Sequence, residues 1–509
     1  MRVPFLSPSP PPAPHPGRPW IPGGPAPSRA AAREQSFPPA GCGSGPGLVG
    51  GLLLVAMLLR PGAAAGAAAA DVPALLKERL ASVVAVEFVA ETESERRPAT
   101  VLGTVVDDQG TVILPGNAIP ATLAVDQLHD FKAYAPNSDE GVPAEYLGPD
   151  ALTGWQFVRV GEPLRRRLVP ITRFVDPGAT PQLDDEVWGL GLRGKDEDFM
   201  PYVLSSRLAL ITRLPNQTAI TAEDIAGPGL PVFARDGHFV GLAQSSYGQN
   251  YLLFARGQNG TPVMLVNVEE SSVVELAADA LPGFGRVPRN VSGRPVAWLG
   301  VYGVQPVDPD VAHLLHLERQ PGLVLSDIMA DSPAARAGLQ DRDLVVAVDG
   351  QPLPRLKPDR VVADYFEREI LRRRPGDAVR LTVLRDQERR EVTVTLADEP
   401  KMVREAARRY FDRLGFTIRE FLPLDAVANR ARPGADTGVV VHFLKPNSPA
   451  AVAGLRPDDW IREIDGAPVK DFAEAAARLA AIDAEKGRGE FVLLASRGGE
   501  TQVLRVKLN

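Results

Sequence analysis

The chain has 509 residues, of which 44% are apolar and 23% charged, a composition typical of a globular protein. This length predicts about three domains of roughly 100–200 residues each. The net charge is −7, and because residues 1–70 hold five Arg and one Glu, the remainder carries −11. This acidic balance argues against a general nucleic-acid-binding protein, whose affinity comes from a basic surface.

Residues 1–70 are predicted to be a leader with a secretory signal peptide. A Pro-, Gly- and Ala-rich segment precedes a 13-residue apolar run, Gly47 to Leu59, which small residues follow. Such a run is too short for a membrane span and is typical of a signal-peptide core. We therefore expect export, with membrane attachment only if the leader stays uncleaved. The unusually long segment before the run fits either an early start codon or a genuine Pro-rich leader.

Cysteine usage bears on the exported chain. The only cysteine, Cys42, precedes the apolar run. Cleavage after the run would therefore leave a chain without disulfides, whose stability must come from packed cores.

Residues 71–284 are predicted to form an all-β domain of about 200 residues. Short β-branched and apolar runs, such as "SVVAVEFVAE", "EVWGLGL" and "LPVFARDGHFVGL", follow one another with turns between them and almost no long helical stretch. This spacing is typical of a β-barrel or a β-sandwich.

Residues 295–400 and 404–509 form an internal repeat, named here the first and the second repeat. Both carry L-G, then "SPAARAGL" or "SPAAVAGL", then an Asp-Gly turn, a helix and two strands. Ser332 and Ser448 are expected to be N-caps, with Pro at the first helical position and Gly338 or Gly454 at the helix end.

These motifs make both repeats resemble PDZ domains, small β-barrels with two helices each. In that family a peptide adds to an exposed strand edge, and backbone N–H groups hold its C-terminal carboxylate. The resemblance implies binding of polypeptide C-termini or of unfolded, extended segments. The implied carboxylate loops are Leu299-Gly300-Val301 and Leu414-Gly415-Phe416.

In the second repeat, one helical face is expected to line the pocket together with Ile418. Its members share the i, i+4, i+7 spacing, and they are Phe472, Ala476 and Leu479. The alternative is that these apolar residues close the domain core, since groove and core are continuous in so small a domain.

An exported all-β domain followed by two PDZ-like domains resembles the HtrA/Deg serine proteases, whose protease domain is a trypsin-like double β-barrel. The overall fold implied is therefore mainly β, with a double barrel and then two PDZ domains. Three stretches, "LGTVVDDQGTVILPGNAI", "GPDALTGWQFVRV" and "AGPGLPVFARDGHFVGL", resemble the three catalytic landmarks of that family in the same order. The resemblance also leaves a homo-oligomer and a bacterial periplasmic or cell-envelope location open.

The residues at the catalytic positions depart from the family. The His, Asp and Ser positions of the resemblance hold Asn117, Gly154 and Pro228. Asn does not titrate, Gly has no side chain, and Pro has neither a hydroxyl nor an N–H for an oxyanion. We therefore predict a degenerate protease domain without catalytic residues.

A relocated active site is the alternative. His129 and His238 are the barrel histidines, and Ser205-Ser206 and Ser245-Ser246 are the serines nearest to strands, but none lies on a glycine-flanked turn. The barrel sequence has no histidine pair spaced for a metal, so neither a metal nor another cofactor is expected. Two functions remain open: a non-catalytic pseudoprotease acting as a scaffold, chaperone-like or regulatory protein, and an active serine endopeptidase.

Overall fold

The computed structural model describes residues 72–244, 250–254, 262–267, 270–315, 317, 320–431 and 437–508. The predicted leader, with Cys42, lies outside the described residues, as do Ser245 and Ser246. None of the described helices has the length and apolar character that crossing a membrane requires.

The first six strands close into one barrel. A short helix, α1 (Val72–Arg79), precedes them, and their order around the barrel is β1-β2-β3-β6-β5-β4. The strands are β1 (Val83–Glu91), β2 (Arg96–Val105), β3 (Thr111–Leu114), β4 (Leu128–Tyr134), β5 (Val142–Pro149) and β6 (Gln156–Val160). Val, Ile and Phe side chains from all six strands fill the interior, as expected for β-branched and aromatic residues.

A second barrel follows, with strand order β10-β11-β14-β9-β8-β7. Its strands are β7 (Glu186–Leu192), β8 (Pro201–Arg213), β9 (Gln217–Thr221), β10 (Pro231–Ala234), β11 (Phe239–Gln244) and, after a separate hairpin of β12 (Asn250–Phe254) and β13 (Pro262–Asn267), β14 (Val273–Leu276). Helix α2 (Ala277–Phe284) then packs against β11 and β14. The prediction of a trypsin-like double barrel is confirmed.

An apolar cluster shared by the two barrels joins them, and it is separate from the interior cluster of the first barrel. A single buried cluster runs from Ile113 and Phe157 in the first barrel to Trp188 and Phe233 in the second. The three loops between the barrels adjoin this cluster, because Ile113, Phe157 and Val232, in the strands next to them, belong to it.

The first repeat forms a sheet in the order β16-β17-β18-β20-β21, with β19 paired to β18 and a separate β15–β22 pair. Its elements are β15 (Ala297–Trp298), β16 (Val301–Pro306), α3 (Pro309–Leu314), β17 (Leu323–Ile328), α4 (Pro333–Arg336), β18 (Leu344–Val348), β19 (Gln351–Pro352), α5 (Val361–Leu371), β20 (Ala378–Arg385), β21 (Glu388–Thr395) and β22 (Ala397–Asp398).

The second repeat forms a sheet in the order β23-β24-β25-β26-β28-β29, with β27 paired to β26. Its elements are β23 (Arg408–Phe411), β24 (Phe416–Glu420), α6 (Pro423–Ala428), β25 (Val439–Leu444), α7 (Pro449–Val452), β26 (Trp460–Ile464), β27 (Ala467–Pro468), α8 (Phe472–Ala484), β28 (Glu490–Arg497) and β29 (Glu500–Lys507).

The repeated "SPAA" motif behaves as predicted. The hydroxyls of Ser332 and Ser448 accept hydrogen bonds from the backbone N–H groups three residues later, at 3.1 and 3.2 Å. Gly338 and Gly454 follow with φ of +84° and +93°, a conformation that glycine adopts without steric cost. The same local chemistry therefore builds the same helix entry in both repeats.

Candidate functional site

Three loops meet between the barrels, and they carry the three positions singled out in the sequence. Asn117 lies in a 3₁₀ turn after β3, Gly154 precedes β6, and Pro228 precedes β10. A Cβ placed on Gly116 would lie 2.2 Å from the carbonyl oxygen of Gly154. A Cβ placed on Gly229 would lie 2.9 Å from Cδ of Pro115, so the first loop touches both others.

All three candidate positions face solvent. Asn117, Gly154 and Pro228 are exposed, whereas Gly229 and the adjoining Thr104 are buried. Gly154 has a φ of +73° and open space around it. The structure thus brings together the segments that the sequence singled out, at an accessible point between the barrels, and the equivalence of these residues to catalytic positions stays a prediction.

Backbone donors in the Pro228 loop are engaged by a buried serine. The N–H groups of Ile225 and Ala226 both donate to Oγ of Ser272, at 3.0 Å each. This hydroxyl in turn donates to Oδ1 of Asp224 at 2.7 Å. Stabilising an oxyanion requires N–H groups that point at the reacting oxygen. In this loop Pro228 has no N–H, and the N–H of Ala226 has another acceptor.

Ser272 is a site residue that the sequence did not indicate. It precedes β14 and lies 46 positions along the chain from Ala226, inside an ordinary "ESSVV" stretch. Only the closure of the second barrel brings its hydroxyl under the loop, so no local pattern could have marked it.

The other candidate groups have partners of different kinds. Nε2 of His129 lies 3.5 Å from a carboxylate oxygen of Glu91, and Nδ1 of His238 lies 2.6 Å from Asp236. Oγ of Ser206 accepts the N–H of Glu223 at 3.1 Å. Within the described ranges, no three His, Cys, Asp or Glu side chains are arranged to hold a metal ion.

A line of polar contacts leads from this site toward the second repeat. Nε2 of Gln156 donates to the carbonyl of Gly116 at 3.3 Å, and the hydroxyl of Tyr146 donates to Oε1 of Gln156 at 2.6 Å. The guanidinium of Arg404, in the segment before β23, lies 3.5 Å from that hydroxyl. Burial raises the pKa of Tyr146, against the lowering effect of Arg404, so the phenol stays protonated as a donor.

The predicted carboxylate loop of the first repeat borders an open groove of about 390 Å³ between β16 and α5. Leu299, Gly300 and Val301 line one end of it. The carbonyls of Leu299 and Gly300 accept N–H groups from Ala334 and Met329, at 2.9 and 3.1 Å, which holds the loop in place. Among the described residues β16 pairs only with β17, so its other edge remains available to a peptide.

The groove of the first repeat is acidic at its rim. Asp364, Glu367 and Glu399 line it. Burial raises the pKa of all three carboxyls, and the charge of Asp364 adds to the effect on Glu367. The sequence gives no sign of this rim, because Asp364 and Glu367 lie in "ADYFEREIL", which has the pattern of an ordinary amphipathic helix, and Glu399 is far from them along the chain.

In the second repeat, the predicted pocket residues are covered. Leu414, Phe416, Ile418 and Leu479 are each 0% exposed, and Ala476 is 6% exposed. The edge of β24 that corresponds to the open edge of β16 is paired with β23. Phe472 is half-buried and lines a larger cavity of about 670 Å³ with Phe421 and residues of the first repeat. Binding of an external peptide by the predicted pocket residues of the second repeat therefore remains a proposal. Such binding would require β23 to leave the edge of β24.

Comparisons with known proteins agree with this architecture. Residues 300–396 and 444–486 match family models described as PDZ domain. A "Probable periplasmic serine endoprotease DegP-like" of Halomonas elongata is 33% identical over 240 residues, 46% of this chain and 44% of that protein. A protein of the same name from Brucella suis is 27% identical over 422 residues, 82% of this chain and 74% of that protein.

Solved structures match less closely. The structure titled "HtrA-type protease AlgW with decapeptide" covers 64% of this chain and 98% of its own, with 15% identity and a TM-score of 0.46. The match to the Halomonas relative spans less than half of that relative's length. The relatives' activities are therefore attributed to those proteins alone.

The strand topology and the matched family models define a class of protein: a trypsin-like double barrel followed by two PDZ domains. Within that class, the curated relatives place the chain more narrowly. It is similar to HtrA/Deg proteins of the DegP-like kind.

Proposed function

We propose that this protein is an exported, non-catalytic HtrA/Deg-like protein that captures extended peptides and protein C-termini. The observation that carries the proposal is the contrast between its sites. Three adjoining loops hold Asn117, Gly154 and Pro228, none of which can act as base, orienting acid or nucleophile. In the part of the chain that the structure describes, β16 has a free edge beside the groove of the first repeat.

The loss of catalysis is supported by geometry as well as by residue type. A Ser-His-Asp mechanism needs a nucleophile, a base that takes its proton, and donors for the oxyanion. Losing all three side chains leaves no route to an acyl-enzyme, and the donor of Ala226 is held by Ser272. The barrels then act as a scaffold for the PDZ domains.

Export to the periplasm is part of the same proposal. The apolar run Gly47 to Leu59 has the length of a signal-peptide core, and the relatives carry the word periplasmic in their names. A scaffold, chaperone-like or regulatory role fits a protein that binds peptides without cleaving them.

Hydrolysis is tested directly with the purified exported chain, an unfolded protein substrate and a fluorophosphonate probe. We expect neither cleavage nor labelling, while an active DegP-like relative assayed in parallel gives both. The competing function, an active serine endopeptidase, is favoured by the names of the relatives. Labelling that disappears when a single serine is replaced by alanine would establish that function instead.

Peptide capture is tested with a library of fluorescent peptides carrying free or amidated C-termini. Binders should lose at least about tenfold in affinity on amidation, because the carboxylate loop can no longer bind a charge. Ala363→Trp, which fills the groove of the first repeat, should abolish the free-carboxylate signal. Arg336→Trp, an exposed position on α4, is the matched control. Equal binding by the two variants would contradict capture at this groove.

A further inference from the structure

The second repeat places one of its own segments where a peptide would add to the sheet. Strand β23 pairs antiparallel with β24, from Arg408 opposite Arg419 to Phe411 opposite Phe416. The C-terminal end of β23 therefore lies next to the carboxylate loop. A peptide that adds to this edge with its C-terminus in the loop runs in the same direction. Helix α8 contacts both β23 and β24, as the helix of a PDZ groove contacts ligand and strand.

Phe411 occupies the place of a last peptide residue. Its carbonyl oxygen accepts the N–H of Gly415, the central residue of the carboxylate loop, at 2.7 Å. Its side chain is 1% exposed, and its ring centroid lies 5.9 Å from that of Phe416. Ala476 and Leu479 belong to the same buried cluster as Phe411. The helical face that was predicted to receive a ligand side chain is therefore in the same core as the Phe411 side chain.

The segment is held from outside the groove as well. The guanidinium of Arg408 donates to the carbonyl of Thr122 at 3.2 Å and to Oε1 of Gln127 at 3.1 Å, both in the first barrel. It also donates to the carbonyl of Val403 at 2.8 Å. Residues 408–411 are thus fastened to the barrel at one end and seated in the groove at the other.

In the first repeat, the segment before the carboxylate loop has a different strand partner. Its residues just before the carboxylate loop, Ala297–Trp298, pair with β22 instead of folding back on β16. The occupied groove is therefore a property of the second repeat and does not follow from the shared fold.

We propose that Arg408-Arg409-Tyr410-Phe411 is a built-in ligand of the second PDZ groove, in which Phe411 holds the place of the last residue of an external peptide. The inference rests on the proposed peptide-binding function of the PDZ domains. A tethered segment competes at a high effective concentration, so an external peptide binds only when the segment is released.

The first experiment releases the segment. The full chain carries Ala363→Trp to silence the first groove, and a fluorescent peptide ending in Arg-Arg-Tyr-Phe with a free carboxylate is titrated. Adding Arg408→Ala, which removes the outer contacts without opening a core cavity, should tighten binding by at least about tenfold. The same peptide with an amidated C-terminus, and one ending in Asp, should bind more weakly.

The second experiment locks the segment. Tyr410 and Thr417 are direct cross-strand partners, a spacing that a disulfide can bridge. A chain with Tyr410→Cys, Thr417→Cys and Cys42→Ser, together with Arg408→Ala and Ala363→Trp, should bind the peptide when reduced and lose binding when oxidised. Each sample is thereby its own matched control.

The outcomes separate the two proposals. If the parent chain binds no peptide at the first groove, the proposed function fails. If the first groove binds but the Arg408→Ala chain does not gain affinity, or the oxidised and reduced chains bind equally, the built-in ligand is overturned. Amide exchange in residues 408–411 as slow as in β25, both with and without Arg408→Ala, would overturn it as well.

Discussion

The hydroxyl of Thr104 donates a 2.7 Å hydrogen bond to the carbonyl oxygen of Gly229. Both residues are buried, one in β2 of the first barrel and the other beside Pro228 in the second. The bond therefore joins the barrels at the loop that contains Pro228, and the first barrel helps to hold that loop.

Thr104→Val removes this bond while preserving the shape of the side chain. The Gly229 carbonyl would lose its hydroxyl donor, so we expect about 1–3 kcal/mol of destabilisation. Urea unfolding of the exported chain measures the change. Thr104→Ser keeps the hydroxyl and is the control, and equal stability of the two variants would show that the bond contributes nothing.

Pro228→Ser alone is expected to restore no activity. It supplies a hydroxyl but no base, because Asn117 and Gly154 remain. Adding Asn117→His and Gly154→Asp should still leave fluorophosphonate labelling about 10²–10³-fold slower than in an active relative, since the N–H of Ala226 donates to Ser272. Labelling rates of the single and triple variants test this. Fast labelling of the triple variant would contradict the role given to Ser272.

Each repeat contains the same ion pair around a buried aspartate, and breaking it should destabilise the repeat. Nε and Nη2 of Arg497 donate to the two carboxylate oxygens of Asp459 at 2.7 Å each, and the Asp459 side chain is 1% exposed. Arg497→Ala leaves that carboxylate buried without its partner, at an expected cost of about 3–5 kcal/mol. Chemical unfolding measures it.

The control for that variant is Arg505→Ala. Arg505 lies 3.8 Å from Glu490 and is 66% exposed, so its loss should change stability by no more than about 1 kcal/mol. The first repeat offers a second test, because Arg385 and Asp343 form the same two-bond pair. Equal losses of stability in Arg497→Ala and Arg505→Ala would mean that the Arg497–Asp459 pair contributes nothing.

Stability should fall in acid because of His442. Its Nε2 lies 2.9 Å from Nη1 of Arg408, and burial, with the charge of Arg408 and Arg419, lowers its pKa, while Glu93 and Asp458 act in the opposite direction. A histidine with a folded pKa below its unfolded value of 6.5 binds its proton first in the unfolded chain. Its contribution is complete above pH 6.5 and is lost as pH falls toward the folded value.

The measurement compares unfolding free energies of the parent chain and His442→Gln between pH 7.5 and pH 5. The parent should lose up to about 1.4 kcal/mol per pH unit more than the variant within that window. Parallel pH profiles would contradict the assignment to His442.

Local chemistry made much of the architecture predictable. Ser332 and Ser448 cap helices because a hydroxyl followed by Pro satisfies the first N–H groups wherever it occurs. The short β-branched runs predicted strands, and the resemblance of three stretches in order predicted the double barrel. Each of these patterns extends over a few neighbouring residues, so it can be recognised in the sequence without knowing what packs against it.

Contacts between distant segments were not predictable. Ser272 reaches Ala226 only because the second barrel closes, and Thr104 meets Gly229 only because the two barrels dock. No sequence pattern links either hydroxyl residue to its partner, because a Ser or Thr that will be buried has the same local sequence features as an exposed one.

The sequence by itself determined the residue types at the three loop positions and the PDZ motifs of both repeats, because identity and local spacing carry that information. Only the tertiary structure decided that, among the residues it describes, the first repeat keeps an open strand edge while the second pairs that edge with Phe411 and its neighbours. The physical reason is that strand pairing joins residues through the backbone, which every sequence shares, so the choice between β22 and β24 as partner depends on how whole segments pack.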